Sequence, residues 1–123
     1  MRIADTSAII ALFSALDAHH TKAKQAFADP DPILVPTEIL VECIHIISRR
    51  AGRTAGVRVL QELLALPNVR PSEGVPFEGV RASFEQSDGR LSLADCFVVQ
   101  SCIAFGAAPI TFDKALKRAA TRP

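Results

Sequence analysis

The chain has 123 residues, a formal net charge of +1, 49% hydrophobic and 22% charged residues. These values exclude wholesale disorder and any strong global field toward nucleic acid or membrane, and they suit one domain, taken as residues 1–123. Folding at this length buries roughly two-thirds of the extended-chain surface, enough for a core without disulfide or metal staples.

Arg2–Asp5 opens the chain as a short strand. Ile9, Ile10, Leu12 and Phe13 recur at helical spacing, which predicts a helix over Thr6–Leu16. A more polar helix follows over His19–Ala28 and stops at Asp-Pro-Asp-Pro. Ile33–Val35 is a second strand, closed by Pro36. A strongly apolar helix runs from Thr37 to about Arg50; Gly52 breaks it, and another helix extends to about Leu66, ahead of Pro67. The turn-rich NVRPSEGVPFEG holds a short strand at Val69, and a helix covers about Glu78–Gln86. Ser92 opens an apolar helix ending at Gly106, Pro109–Phe112 is the last strand, and Asp113 starts a final short helix. Strands alternating with helices predict an α/β fold with a short central parallel β-sheet flanked by helices. Ligands of such sheets sit beyond the carboxyl ends of the strands.

No apolar run approaches the roughly 18–20 residues that span a bilayer, and the opening MRIADTSAIIALF has an acid inside its apolar stretch, unlike a signal peptide. The expectation is a cytoplasmic chain that engages no membrane. Cys43, Cys96 and Cys102 form no CxxC pair and read as small core residues of a reducing compartment. Charge is locally uneven: Arg49, Arg50, Arg53 and Arg58 lie in a stretch without acids, and the tail from Asp113 carries four basic residues and one acid. Such clusters are either solvated helix faces or phosphate contacts.

Four acids interrupt strongly apolar runs: Asp5 at the end of the first strand, Glu42 in ILVECIHII, Asp95 in LSLADCFVV and Asp113 in PITFD. An ionised carboxylate in apolar company is costly unless it is paired or holds a cation, and near Asp5, Glu42 and Asp95 the only lysine or arginine within three positions is Arg2. Each acid also has a structural use. Asp5 and Asp113 can cap the helices that follow, Asp95 completes a capping box with Ser92, and Glu42 can pair with His45. Taken together, acids converging on one end of a sheet point to a hard divalent cation and phosphoryl chemistry. There is no GxGxxG, GxxxxGK[ST] or GxSxG, and no zinc-type ligand spacing. His19 and His20, adjacent on a polar helix, read as solvent-exposed, and His45 as a core-edge histidine.

The blocks IADTSAIIALF, VPTEILVECIHII and LSLADCFVVQSCIAFGAAPITFDKAL, in this order and spacing, resemble the PIN-domain ribonucleases, in particular VapC-type toxins of type II toxin–antitoxin systems. The resemblance spans essentially the whole chain and implies a single PIN domain. Carried over by position, Asp5, Glu42, Asp95 and Asp113 match the catalytic acids. Glu38 competes with Glu42 but fits the spacing from Pro36 less well. Thr6, Ser7 and Thr111 match supporting hydroxyls. The resemblance implies a magnesium- or manganese-dependent endoribonuclease. Asp5 and Asp95 hold the metal, while Glu42 and Asp113 shape the pocket or orient water. Hydrolysis leaves 5′-phosphate and 3′-hydroxyl ends. Arg49, Arg50 and Arg53 become RNA-backbone contacts. The implied partners are RNA, a VapB-like antitoxin and a second copy of the chain in a homodimer, with the apolar helix pair Thr37–Leu66 as their surface. The same acids would also serve a metal-dependent DNA nuclease or phosphatase, and the same fold a catalytically inactive binding module.

Overall fold

The computed structural model describes residues 1–121; Arg122 of the basic tail and Pro123 lie outside the described residues. Four strands and seven helices follow in the order β1 (Arg2–Ala4), α1 (Thr6–Phe13), α2 (His20–Ala28), β2 (Ile33–Pro36), α3 (Thr37–Ala51), α4 (Arg53–Ala65), β3 (Val69–Ser72), α5 (Phe77–Gln86), α6 (Leu93–Phe105), β4 (Ala108–Ile110) and α7 (Lys114–Thr121). All pairings are parallel, in the order β3-β2-β1-β4, as the alternating pattern predicts. Parallel strands need crossover helices, and those helices cover the sheet. The short strands are accordingly apolar: Ile3 and Ala4 of β1, and Ile33 and Val35 of β2, are fully buried. Ile9, Ile39, Leu63, Val80, Val98 and Leu116 pack the helices onto them in one continuous core.

The first two crossovers move the chain from β1 outward to β2 and β3; the third returns it past β1 to β4. The strand order therefore reverses between β1 and β4, and a crevice opens at their carboxyl ends, the usual ligand position in such sheets. That end carries the first turns of α1, α3, α6 and α7.

Helix boundaries follow local chemistry. Asp5 caps α1, Ser92 and Asp95 form a reciprocal capping box on α6, and Gly106 ends α6 in the left-handed conformation. Gly52, with φ of 95°, joins α3 to α4 in a conformation that a side chain would strain. Two expected boundaries shift. Helix α1 stops at Phe13 rather than Leu16, because Ser14 turns extended and its carbonyl accepts from Asp17; Leu16 is left 98% exposed. Strand β4 ends at Ile110 rather than Phe112. The carbonyl of Ile110 takes the last ladder bond, from Asp5, and the amide of Phe112 donates to Ser7 Oγ instead.

The opposite end of the sheet is closed by Arg2. Its guanidinium donates to the carbonyls of Ala26, Asp29 and Asp31, tying the carboxyl end of α2 to the entry of β2. Asn68 adds bonds to the carbonyls of Phe27 and Asp29. These carbonyls have no partner within the helix, and a cation there also opposes the helix dipole. Replacing Arg2 by Met, which keeps the stem but removes the donors, should lower stability by about 2 kcal/mol. Leu63→Ala, which empties a fully buried site, should cost about 3 kcal/mol. Denaturant midpoints at unchanged slope read both.

Candidate active site

Asp5 is 2% exposed and sits where β1 hands over to α1, beside the β1/β4 crevice. Its carboxylate accepts from the Ala8 amide at 2.9 Å, from Ser7 Oγ at 2.8 and 3.0 Å, and from Thr111 Oγ1 at 2.5 Å. No cation pairs with it: the four ion pairs among the described residues involve Met1, Arg2 and Arg81 only. Burial pushes the Asp5 carboxyl above its ordinary pKa; the hydroxyl and amide bonds oppose this, and the nearby Asp95 charge adds to it.

The other three acids reach Asp5 by different routes. Asp95 lies in the first turn of α6, half-buried, with Oδ2 accepting from the Ser92 amide at 2.9 Å. It is close enough for its charge to raise the Asp5 pKa. Glu42, one turn into α3, accepts from Thr6 Oγ1, so Thr6, the residue after Asp5, ties α1 to α3. Asp113 is exposed and caps α7, accepting from the Leu116 amide at 2.9 Å; its own amide donates to Thr111 Oγ1 at 3.0 Å. Thr111 thus joins Asp5 and Asp113, and Ser7 ties both to the β4–α7 link through Phe112. Asp5 is the hub, with the Ser7 and Thr111 hydroxyls bonded to it directly.

The structural uses foreseen for Asp5, Asp95 and Asp113 are all present. The pairing of Glu42 with His45 does not occur. His45 is exposed on α3 rather than at the core edge, because it lies on the polar stripe of that helix. His20 is half-buried rather than free, its Nδ1 bonded to the Ala11 carbonyl at 2.8 Å. His19 is exposed but stacks on Phe112, a neighbour that the sequence, with the two residues so far apart, gave no local signal to find.

Among the described residues, no three His, Cys, Asp or Glu side chains close into a metal-binding group. The donor set nonetheless fits a hard cation that takes few protein ligands. Magnesium keeps several waters and binds through one or two carboxylates. Three groups donate to the Asp5 carboxylate, Ala8, Ser7 and Thr111, with the Ser7 hydroxyl within reach of both oxygens, and Asp95 lies nearby as a second carboxylate. Softer donors are silent: burial pushes the Cys43 thiol up to about 12, with help from the Glu42 and Asp5 charges, so it stays protonated.

Glu38, Glu42, His45 and Arg49 fall at i, i+4, i+7 and i+11 on α3 and so share one face. Arg49 lies about 10 Å along the axis from Glu42 at 1.5 Å per residue. Arg49, Arg50, Arg53 and Arg58 are all exposed, and none enters an ion pair among the described residues. Two grooves of about 610 and 460 Å³ run elsewhere, one between the end of α2 and the Leu66–Arg70 segment and one between α2 and α4, and none of the four acids lines them.

A PIN domain family model matches residues 2–122. The crystal structure of the Mycobacterium tuberculosis toxin VapC20, which cleaves the sarcin–ricin loop, superposes with a TM-score of 0.80 at 25% sequence identity, covering 100% of both chains. No curated protein matches the sequence.

The raised pKa of Asp5 has a measurable consequence. Above its folded-state value the metal-free protein bears the full cost of a buried charge; as pH falls through that value toward the unfolded one the cost disappears. Asp5→Asn keeps the cap and removes the charge. It should therefore be more stable than the parent at neutral pH in EDTA, with the gap closing in acid. Thermal melts of the two proteins across pH check this. A gap that widens in acid would contradict the burial argument.

Proposed function

Because the chain belongs to the PIN-domain family, we propose that it is a metal-dependent endoribonuclease and the toxin of a toxin–antitoxin pair. The observation that carries this reading is the Asp5 carboxylate: buried, without a cation, and next to a second acid at the sheet's switch point. The likeness to a toxin that cleaves the sarcin–ricin loop supports RNA as the substrate class.

When bound, magnesium or manganese supplies Lewis acidity for phosphodiester hydrolysis. Asp5 and Asp95 hold it. The Ser7 and Thr111 hydroxyls fix both oxygens of Asp5, so the ligand direction is set before substrate arrives. Glu42 uses Oε1 on Thr6 and offers its second oxygen to orient the attacking water and take its proton. Asp113, with Oδ1 committed to its cap, presents Oδ2 at the crevice rim. Arg49, Arg50 and Arg53 receive the RNA backbone along α3 and at its junction with α4, positioning it without reading sequence. In-line attack leaves a 5′-phosphate and a 3′-hydroxyl.

The whole chain acts as one domain in this reading, in the cytoplasm. No helix among the described residues is long and apolar enough to cross a membrane. Exposed Val41, Val57 and Leu64 on the α3–α4 pair support a docking surface for a second copy or an antitoxin.

Cleavage of a mixed RNA pool by purified protein should require magnesium or manganese and stop with EDTA. Asp5→Asn and Asp95→Asn should each lower the rate by more than about 100-fold, with the fold intact. Cleavage of DNA in preference to RNA would move the assignment to a DNA nuclease; a folded protein that neither binds metal nor cuts would leave a binding module. In binding to non-cleavable RNA, Arg49→Ala and Arg50→Ala should each reduce the salt slope by about 1 without changing sequence preference.

A further inference from the structure

His19 holds a position that its helix does not require. It is the residue before α2 and makes no side-chain capping bond. Its ring instead lies parallel to that of Phe112, 4.4 Å between centroids and 4° between planes, although the residue remains exposed. Phe112 belongs to the link between β4 and α7, between Thr111 and Asp113. Its amide donates to Ser7 Oγ at 3.0 Å, and Ser7 donates to Asp5 at 2.8 Å. The stack therefore begins two hydrogen bonds from the buried carboxylate. The loop presenting it is braced: the His19 amide donates to Asp17 Oδ1 at 2.8 Å, the His20 amide to the Asp17 carbonyl at 3.0 Å, and the His20 ring bonds the Ala11 carbonyl.

We propose that the face of His19 turned away from Phe112 is a nucleobase-stacking subsite, which holds an unpaired base of a single-stranded nucleic acid beside the acidic crevice. This rests on the nuclease reading of that crevice. Single-stranded RNA is bound by splaying bases onto aromatic rings, histidine among them, and such stacking tolerates any base because every base has a π face. Phe112 fixes one face of the imidazole, and the braced loop fixes its approach. A base arriving on the open face meets a ring already ordered, so little conformational entropy opposes binding. The Arg49–Arg53 cluster takes the backbone on one side of the crevice; His19 takes a base on another. A single strand gripped at both points lies across Asp5, whereas a paired duplex cannot offer its base faces. The subsite therefore favours loops and unpaired ends over helical RNA.

The test uses the full chain carrying Asp5→Asn, which prevents cleavage, and a single-stranded oligoriboadenylate containing 2-aminopurine, whose fluorescence falls when it stacks. Binding should quench the probe. His19→Ala should weaken binding roughly 5- to 100-fold and abolish the quench. His19→Phe should retain both, and His19→Leu, which keeps apolar cover on Phe112 without a π face, should lose the quench like Ala. The Phe and Leu variants decide the matter even if Ala disturbs the fold. Equal affinity and quench in all four proteins overturn the proposal. Unchanged binding with a lower cleavage rate in an otherwise wild-type His19→Ala protein also overturns it, because His19 would then only position Phe112. His19-dependent quenching by a protein that cuts no RNA sinks the nuclease reading and leaves the stacking subsite standing.

Discussion

A carboxylate at the end of a central strand, sealed from water and facing no cation, must be supported by whatever surrounds it. In this chain that carboxylate is Asp5, and much of the crevice is arranged around it. A main-chain amide from the first turn of α1 and hydroxyls from Ser7 and Thr111 meet its oxygens. These bonds stabilise the ionised form, yet burial and the neighbouring Asp95 charge still hold its pKa up. The metal-free site is thus electrostatically incomplete. A hard cation at such a site would relieve desolvation and like-charge repulsion together.

The same residues build the fold and the site. Asp5, Asp95 and Asp113 each cap a helix, and the three helices they cap start at the same end of the sheet. Capping fixes each side chain against its own first turn, so the acids are presented by rigid elements rather than by mobile loops. Each carboxylate keeps oxygen capacity beyond its cap. Thr6 and Thr111 then tie helices that are remote in sequence, α1 to α3 and β1 to the β4–α7 link. Among the described residues, no three of the acids crowd into one coordination group.

The surface beyond the crevice divides by chemistry. One face of α3 runs from the acidic Glu38 and Glu42 to the basic Arg49 in its last turn. The apolar grooves beside α2 lie away from the acids.

Much of this was legible in the residues alone. Apolar periodicity, the prolines at 36 and 67 and the glycines at 52 and 106 mark elements close to their observed bounds, because caps and breakers act within a few residues. The acids stood out because a carboxylate in an apolar run needs a reason, and their placement at strand and helix junctions set them at one end of a parallel sheet. Tertiary structure decided what depends on distant neighbours. It ended β4 at Ile110 by giving the Phe112 amide to Ser7, joined Glu42 to Thr6 rather than to His45, exposed His45, and laid His19 on Phe112. Sequence determines where each polar group sits on its own helix or strand, since that follows from local periodicity. Which partner satisfies it depends on how the crossovers bring remote turns together, and only the folded chain fixes those distances.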